Sequence, residues 1–236
     1  MQGIRKCVLS DDPANARRCP VPGPDGVKSA TEVIEEIGNQ VSEGRNVTGG
    51  TKDIRNKISI RAHHRIGTWN TNGILHSGKL SIVDKERENH RISILGISET
   101  HLRGQGHFNT TTGSTLYFSG REDSSRNGVA IFLSSNMNKF VLGYNPVSDR
   151  IISLKLNTKP YLWNIVQIYA PTAQASDEDI NEFYGSLEKT LDAIPSRQIT
   201  IILGDWNAKV GNVIPDYTIK DTIGKYGLGT KNKRGQ

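Results

Sequence analysis

Thr200-Ile201-Ile202-Leu203-Gly204-Asp205-Trp206-Asn207 is a short β-branched run that ends abruptly in an acid and an amide. Its continuous apolar character, without alternation, predicts a strand covered on both faces. A strand followed at once by Asp205 and Asn207 delivers polar side chains from rigid backbone to a sheet edge, where layered sheets bind ligands. The same arrangement recurs upstream. Ile66-Gly67-Thr68-Trp69 runs into Asn70, Ile92–Ser98 runs into Glu99, and Tyr161–Ile168 runs into Tyr169.

Further strands are predicted at Leu116–Phe118 and Val129–Leu133, and at Ile151–Leu156, which forms a hairpin with Tyr161–Ala170 around Asn157-Thr158-Lys159-Pro160. Two helices interleave with them. One covers Lys79–His90 and turns Leu80 and Val83 towards a core. The other starts at the N-cap Ser176, with Asp177, Glu178 and Asp179 in the first turn, where the helix dipole favours anions. Its Ile180, Phe183, Tyr184, Leu187, Leu191 and Ile194 follow helical spacing up to Pro195. Strands and helices alternating without strict repeat predict an α/β (α+β) fold, a layered β-sandwich flanked by helices.

Residues 1–60 read as a mostly disordered extension. The stretch Pro20-Val21-Pro22-Gly23-Pro24 excludes a helix or a central strand, and only a thin helix over Thr31–Val41 is expected before the glycines at 44, 49 and 50. Residues 61–236 then form the folded domain. The net charge of +6 sits at the ends: residues 1–65 carry 11 Lys/Arg against 8 Asp/Glu, residues 218–236 carry 5 against 1, and residues 66–217 carry 14 against 15. A basic flank strengthens contact with phosphates but is equally a solvated tail. Cys7 and Cys19, the two cysteines, form neither a disulfide framework nor a zinc site. With no secretory signal and no membrane span in the sequence, the expectation is a nuclear or cytoplasmic protein, not secreted.

If the strand ends converge, Asn70, Glu99, Tyr169, Asp205 and Asn207 bring two carboxylates, two carboxamides and a phenol to one place. That donor set suits a hard cation such as Mg²⁺, with Mn²⁺ as a substitute, and it suits phosphoryl chemistry. Each piece has a plainer reading. Gly-Asp-x-Asn occurs in turns, Glu99 as a solvated carboxylate, Tyr169 as a residue packed on a core edge, and Trp69-Asn70 as a strand end.

The order of the pieces carries more. Thr68-Trp69-Asn70-Thr71-Asn72-Gly73, Ile97-Ser98-Glu99-Thr100, Ile168-Tyr169-Ala170-Pro171-Thr172 and Gly204-Asp205-Trp206-Asn207 together resemble the endonuclease/exonuclease/phosphatase superfamily, whose fold is DNase I-like. Asn127-Gly128-Val129-Ala130, Ser148-Asp149-Arg150-Ile151-Ile152 and Gly224-Lys225-Tyr226-Gly227-Leu228-Gly229 are similar to endonucleases of RTE/BovB-type non-LTR retrotransposons and to craniofacial development protein 2-like chains. The resemblance implies that Glu99 binds the metal, assisted by Asn70. It implies that Asp205 orients or deprotonates the attacking water, and that Asn207 and Tyr169 hold the phosphate of a DNA backbone. Position 72 is Asn where several superfamily enzymes place Asp, and His101 lies within reach of the phosphate or stands exposed.

Two later motifs of the superfamily, an Ile-Asp-Tyr-like strand and a Ser-Asp-His, do not occur. The expectation is a fragment with an incomplete second half, one apolar sheet face left uncovered, and weak or no catalysis. Three functions stay open: a Mg²⁺-dependent DNA endonuclease, a non-catalytic retrotransposon-derived remnant acting as an interaction module, and a phosphatase or phosphodiesterase acting on small esters.

Overall fold

The computed structural model describes residues 58–59, 64–76, 78–209, 211, 230–232 and 235. In chain order the elements are β1 (Ile58–Ser59), β2 (Ile66–Asn70), α1 (Lys79–Asn89), β3 (Ile94–Ser98), β4 (Gln105–Asn109), β5 (Thr115–Ser119), β6 (Val129–Leu133), α2 (Ser135–Asn138), β7 (Val141–Ser148), β8 (Ile151–Leu156), β9 (Thr158–Lys159), β10 (Trp163–Tyr169), α3 (Asp177–Asp192) and β11 (Ile199–Asp205). The helix expected over Thr31–Val41 and the mobility expected of residues 1–57 lie outside the described residues.

Five strands form one sheet in the order β2-β3-β6-β5-β4, and four form a second in the order β11-β10-β8-β7. A two-residue pairing of β1 with β9 adds a third, minor sheet. The two large sheets face each other. Ile94, Val129, Ile131 and Leu133 of the first meet Ile152, Leu154, Leu156 and Ile165 of the second, all at most 1% exposed. Removing each such side chain from water contributes about 1.5–3 kcal/mol, so this layer dominates the stability of the sandwich.

The outer faces are covered as well. α3 sets Phe183 and Leu187 against Val166, Ile168 and Ile151 on the back of the four-stranded sheet. Ser176 caps it as expected, accepting from the Asp179 amide at 3.1 Å. On the back of the five-stranded sheet, Val83 joins Leu95, Ile97, Phe132 and Leu116. The expectation that one sheet face stays bare is therefore corrected, because the four strands from β7 onward suffice to cover the first sheet's inner face.

α1 turns Leu80 and Val83 towards the core as expected, and it docks by polar contacts as well. Its buried positions are Val83, Asp84 and Arg87, while Ile82 is 56% exposed. Arg87 donates from Nε and Nη2 to Asp84 Oδ1 at 3.0 and 2.8 Å, and from Nη2 to Ser114 Oγ at 2.7 Å. Thr110 and Thr112 donate to the other Asp84 oxygen, and the guanidinium lies 5.3 Å from the Phe132 ring centre. The helix thus docks through a hydrogen-bonded ion pair on the β4–β5 hairpin.

Four strands escaped the sequence reading: the two-residue β1 and β9, the latter read as part of a turn, and two edges of the large sheets. β4 is polar at alternate positions, and β7 contains Gly143 and Pro146 with register shifts at both; proline is tolerated there because an edge leaves one row of N–H groups without a sheet partner. β11 also lies at an edge, so Ile201 and Ile202 remain half-buried and only Leu203 is fully inside. That corrects its reading as a strand covered on both faces. Arg87→Ala leaves Asp84 buried with hydroxyl partners alone and should lower unfolding free energy by about 3–5 kcal/mol, read from urea midpoints. Replacing both members of the pair by Leu and Met should recover most of that loss.

Candidate active site

The register explains why the polar strand ends meet. β2 and β3 run parallel, with Asn70 opposite Ser98, and β10 and β11 run parallel, with Tyr169 opposite Asp205. Their C-terminal ends therefore emerge on the same rim. β6 and β8 run antiparallel to these neighbours and contribute their N-terminal ends, carrying Asn127-Gly128 and Asp149-Arg150.

Asn70 is the centre of the cluster. Its Nδ2 donates to Glu99 Oε1 at 2.7 Å and to Asp205 Oδ2 at 3.0 Å. Its Oδ1 accepts the backbone N–H of Asn72 at 3.1 Å. Tyr169 lies beside the Glu99 side chain, and Asp205 Oδ1 accepts the Asn207 backbone N–H at 3.0 Å. Three of the expected residues, Asn70, Glu99 and Asp205, thus form one bonded set, with Tyr169 next to it. Asn207 adjoins it, with its Nδ2 donating to Ala170 O at 2.7 Å. Asn70 presents a nitrogen to the carboxylates, so in this arrangement it orients them as a donor and offers them no cation-ligating oxygen.

Tyr169 is 7% exposed. Burial, reinforced by the neighbouring Glu99 side chain, pushes its phenol up to about 12. The phenol therefore stays protonated through the neutral range and remains a hydrogen-bond donor. Burial also lowers the Lys79 ammonium from its ordinary value, and its Nζ donates to Asn72 O at 3.0 Å, next to the Asn70 turn.

The backbone at this rim is unusual. Asn72, Glu99, His101, Asn127 and Asn207 all have φ between 48° and 61°. Asparagine tolerates that left-handed region, whereas Glu and His do so at a cost of about 1–2 kcal/mol. Gly204, at φ 145°, lets β11 approach β10: a Cβ there would stand 2.1 Å from Ile168 O. His101 is half-buried, with its imidazole against Gly73.

Sequence reasoning overlooked Arg150. Its guanidinium lies 5.1 Å from the Tyr169 ring centre and donates to Tyr169 O at 3.2 Å. Asn127 and Asp149 were also passed over; Asn127 Nδ2 donates to Asp149 Oδ2 at 2.7 Å and holds the β6 and β8 entries together. The signal was available in the expected hairpin, since counting back from its turn brings Arg150 opposite the end of the strand that carries Tyr169.

A divalent cation fits the donor chemistry, because Glu99 and Asp205 offer hard carboxylate oxygens on either side of a single amide nitrogen. Among the described residues no group of three or more His, Cys, Asp or Glu gathers as a metal cage.

Linkage gives the sign of the alkaline response. A phenol near 12 in the fold, against the ordinary 10.0, adds stability that is complete below pH 10 and is lost as pH rises through 12. Tyr169→Phe should therefore show a shallower fall of the denaturation midpoint between pH 10 and 12. Tyr117, also raised to about 12 by burial and by Tyr144, keeps its own share of the slope. Equal slopes in variant and parent would contradict the assignment.

Residues 67–217 match the model of the Endonuclease/Exonuclease/phosphatase family. The chain is 34% identical over 207 residues to craniofacial development protein 2 of Bos taurus, covering 87% of this chain and 34% of that protein. Against the protein of the same name from Tragulus javanicus it is 34% identical over 195 residues, covering 82% and 33%. It spans about a third of the length of the curated relatives it matches. Among solved structures, the endonuclease domain of TRAS1, a telomere-specific non-LTR retrotransposon, superposes with a TM-score of 0.43 at 20% identity, over 62% of this chain and 60% of that one. The AP endonuclease LMAP from Leishmania major gives 0.49 at 16% identity, over 81% and 68%. With a match across most of its folded residues, and with the four ordered strand-end motifs on one rim, the chain belongs to the Endonuclease/Exonuclease/phosphatase family.

Proposed function

We propose that the rim cluster hydrolyses phosphodiester bonds of DNA with the help of Mg²⁺ or Mn²⁺. The observation that carries this reading is the pair Glu99 and Asp205, brought from different sheets to one amide nitrogen, 2.7 and 3.0 Å away, beside a phenol kept protonated by burial. Glu99, at the end of β3, is the residue that would hold the cation, with Asp205 across the Asn70 amide from it. A bound divalent ion would neutralise charge growing on the phosphate and on the leaving oxygen.

The chain's own groups do the rest. Asp205 is fixed through both oxygens, by Asn70 and by the Asn207 backbone, so it is oriented to take the proton of an attacking water. Oxygen of that water bonds to phosphorus, the ester P–O bond breaks, and solvent protonates the departing alkoxide. Tyr169 donates its O–H to a non-bridging oxygen. Asn207 donates to the same phosphate once its amide leaves Ala170 O. Arg150, stacked on the Tyr169 ring, holds that ring in place and adds positive charge.

DNA is favoured over a small ester because exposed Arg103 and Arg126 stand in the loops that enter β4 and β6 on the same rim. Charges spaced beyond the cluster serve an extended polyanion. Nicking of supercoiled plasmid should require Mg²⁺ or Mn²⁺, stop with EDTA, and weaken steeply with added salt. Asp205→Ala should slow it about 10²–10⁴-fold, and Glu99→Gln should raise the metal concentration needed for half activity. Inositol phosphate hydrolysis without nicking would point to the small-ester reading. Salt-sensitive DNA binding with no hydrolysis of either would point to an interaction module.

A further inference from the structure

Directly beneath the cluster the apolar layer between the sheets is interrupted. Along the inner face of β10, Trp163, Ile165 and Tyr169 belong to the core, but the fourth inward position is Gln167, fully buried at 0%. Opposite it on β3 stand Gly96 and Ser98, and Ser98 is also 0% exposed. Gln167 Nε2 donates to Ser98 Oγ at 2.9 Å and to Ile168 O at 3.1 Å. Ser98 Oγ donates across the gap to Ile168 O at 3.1 Å. Gly96 makes room for the crossing side chain, since a Cβ at that position would lie 1.8 Å from Gln167 Oε1.

This arrangement works against stability. Gln167 Oε1 is buried without a hydrogen-bond partner, and such an acceptor loses its hydration with no full return. A leucine or methionine would fill the same layer without that loss. What the polar group provides is directional. Apolar surfaces slide over one another at little cost, whereas hydrogen bonds between fixed atoms set one stagger of the sheets. The atoms concerned adjoin the site: Ser98 precedes Glu99, and Ile168 precedes Tyr169.

We infer that Ser98 and Gln167 form a cross-sheet clamp that sets the spacing of Glu99 from Tyr169 and Asp205, making both positioning residues of the rim cluster. The inference rests on the proposed function for its purpose, but the geometry it asserts stands without it.

The test compares Gln167→Met and Ser98→Ala with the unmodified 236-residue chain, and adds Ser98→Thr, which keeps the hydroxyl. Three quantities are read: the urea midpoint, the separation of the Glu99 and Asp205 side chains in crystal structures of each variant, and Mn²⁺ affinity by calorimetry without DNA. Gln167→Met should keep or raise the midpoint while the two acids move apart and leave the Asn70 amide. Mn²⁺ affinity should weaken about tenfold or more, as for other groups that orient metal-binding carboxylates. Ser98→Ala should do the same, and Ser98→Thr should stay near the parent. A folded Gln167→Met, or Ser98→Ala should the first not fold, that keeps both acids on the Asn70 amide would overturn the clamp. If the parent neither binds Mn²⁺ nor nicks plasmid, the proposed function fails, and the crystal structures still decide the clamp.

Discussion

Two carboxylates from different sheets are held by one amide nitrogen, and the site depends on that bridge. Asn70 and Glu99 end neighbouring strands of the five-stranded sheet, whereas Asp205 ends an edge strand of the four-stranded one. Two acidic side chains meeting at one point need a donor between them. The Asn70 amide places its two N–H groups between them, and the Asn72 backbone takes up the oxygen left over. All three polar positions of one small side chain are thereby used. The geometry holds only while the sheets keep their relative position: the close-packed layer of Ile94, Ile131, Leu154 and Ile165 holds them together, and the Ser98–Gln167 crossing fixes their stagger.

The same rim gathers most of the backbone strain found among the described residues. Left-handed asparagines at 72, 127 and 207 are inexpensive, because a short amide bonds locally in that region. Glu99 and His101 are not, and their neighbours hold them there. Glu99 is fixed through Asn70, while Thr100 and His101 donate their backbone N–H groups to Gly128 and Asn127. Strain at the end of a strand turns a side chain that would continue along the sheet into the space above it. Here it aims Glu99 across the rim towards Tyr169 and Asp205.

Away from the site, the molecule solves its packing by less expected means. α1 has only Val83 as a fully buried apolar residue and reaches the sheet through Asp84 and Arg87. Such a pair contributes little net stability over a hydrophobic substitute, but it fails badly when one partner is lost, and its directionality fixes how the helix sits. Polar contacts thus set orientation twice in this fold, at the α1 dock and at the Ser98–Gln167 crossing, while apolar contacts supply most of the cohesion.

Much of this was legible in the residues themselves. Continuous β-branched runs such as Ile92–Ser98 and Val129–Leu133 can bury both faces only as central strands, and they do. Ser176 and the acids after it could start only a helix, and the ordered strand-end motifs named the family and the residues that the fold gathers on one rim. Edges were not legible: β4 and β7 are polar or broken by Gly143 and Pro146 because nothing forces an edge to look apolar, while β11 looks central and is not. Only the tertiary structure decided that Asn70 faces the acids with its nitrogen, that Arg150 lies on Tyr169, and that Gln167 crosses to Ser98. Each of these joins residues 19 to 135 positions apart, and a local pattern carries the period of a strand or helix but not the distance between two sheets.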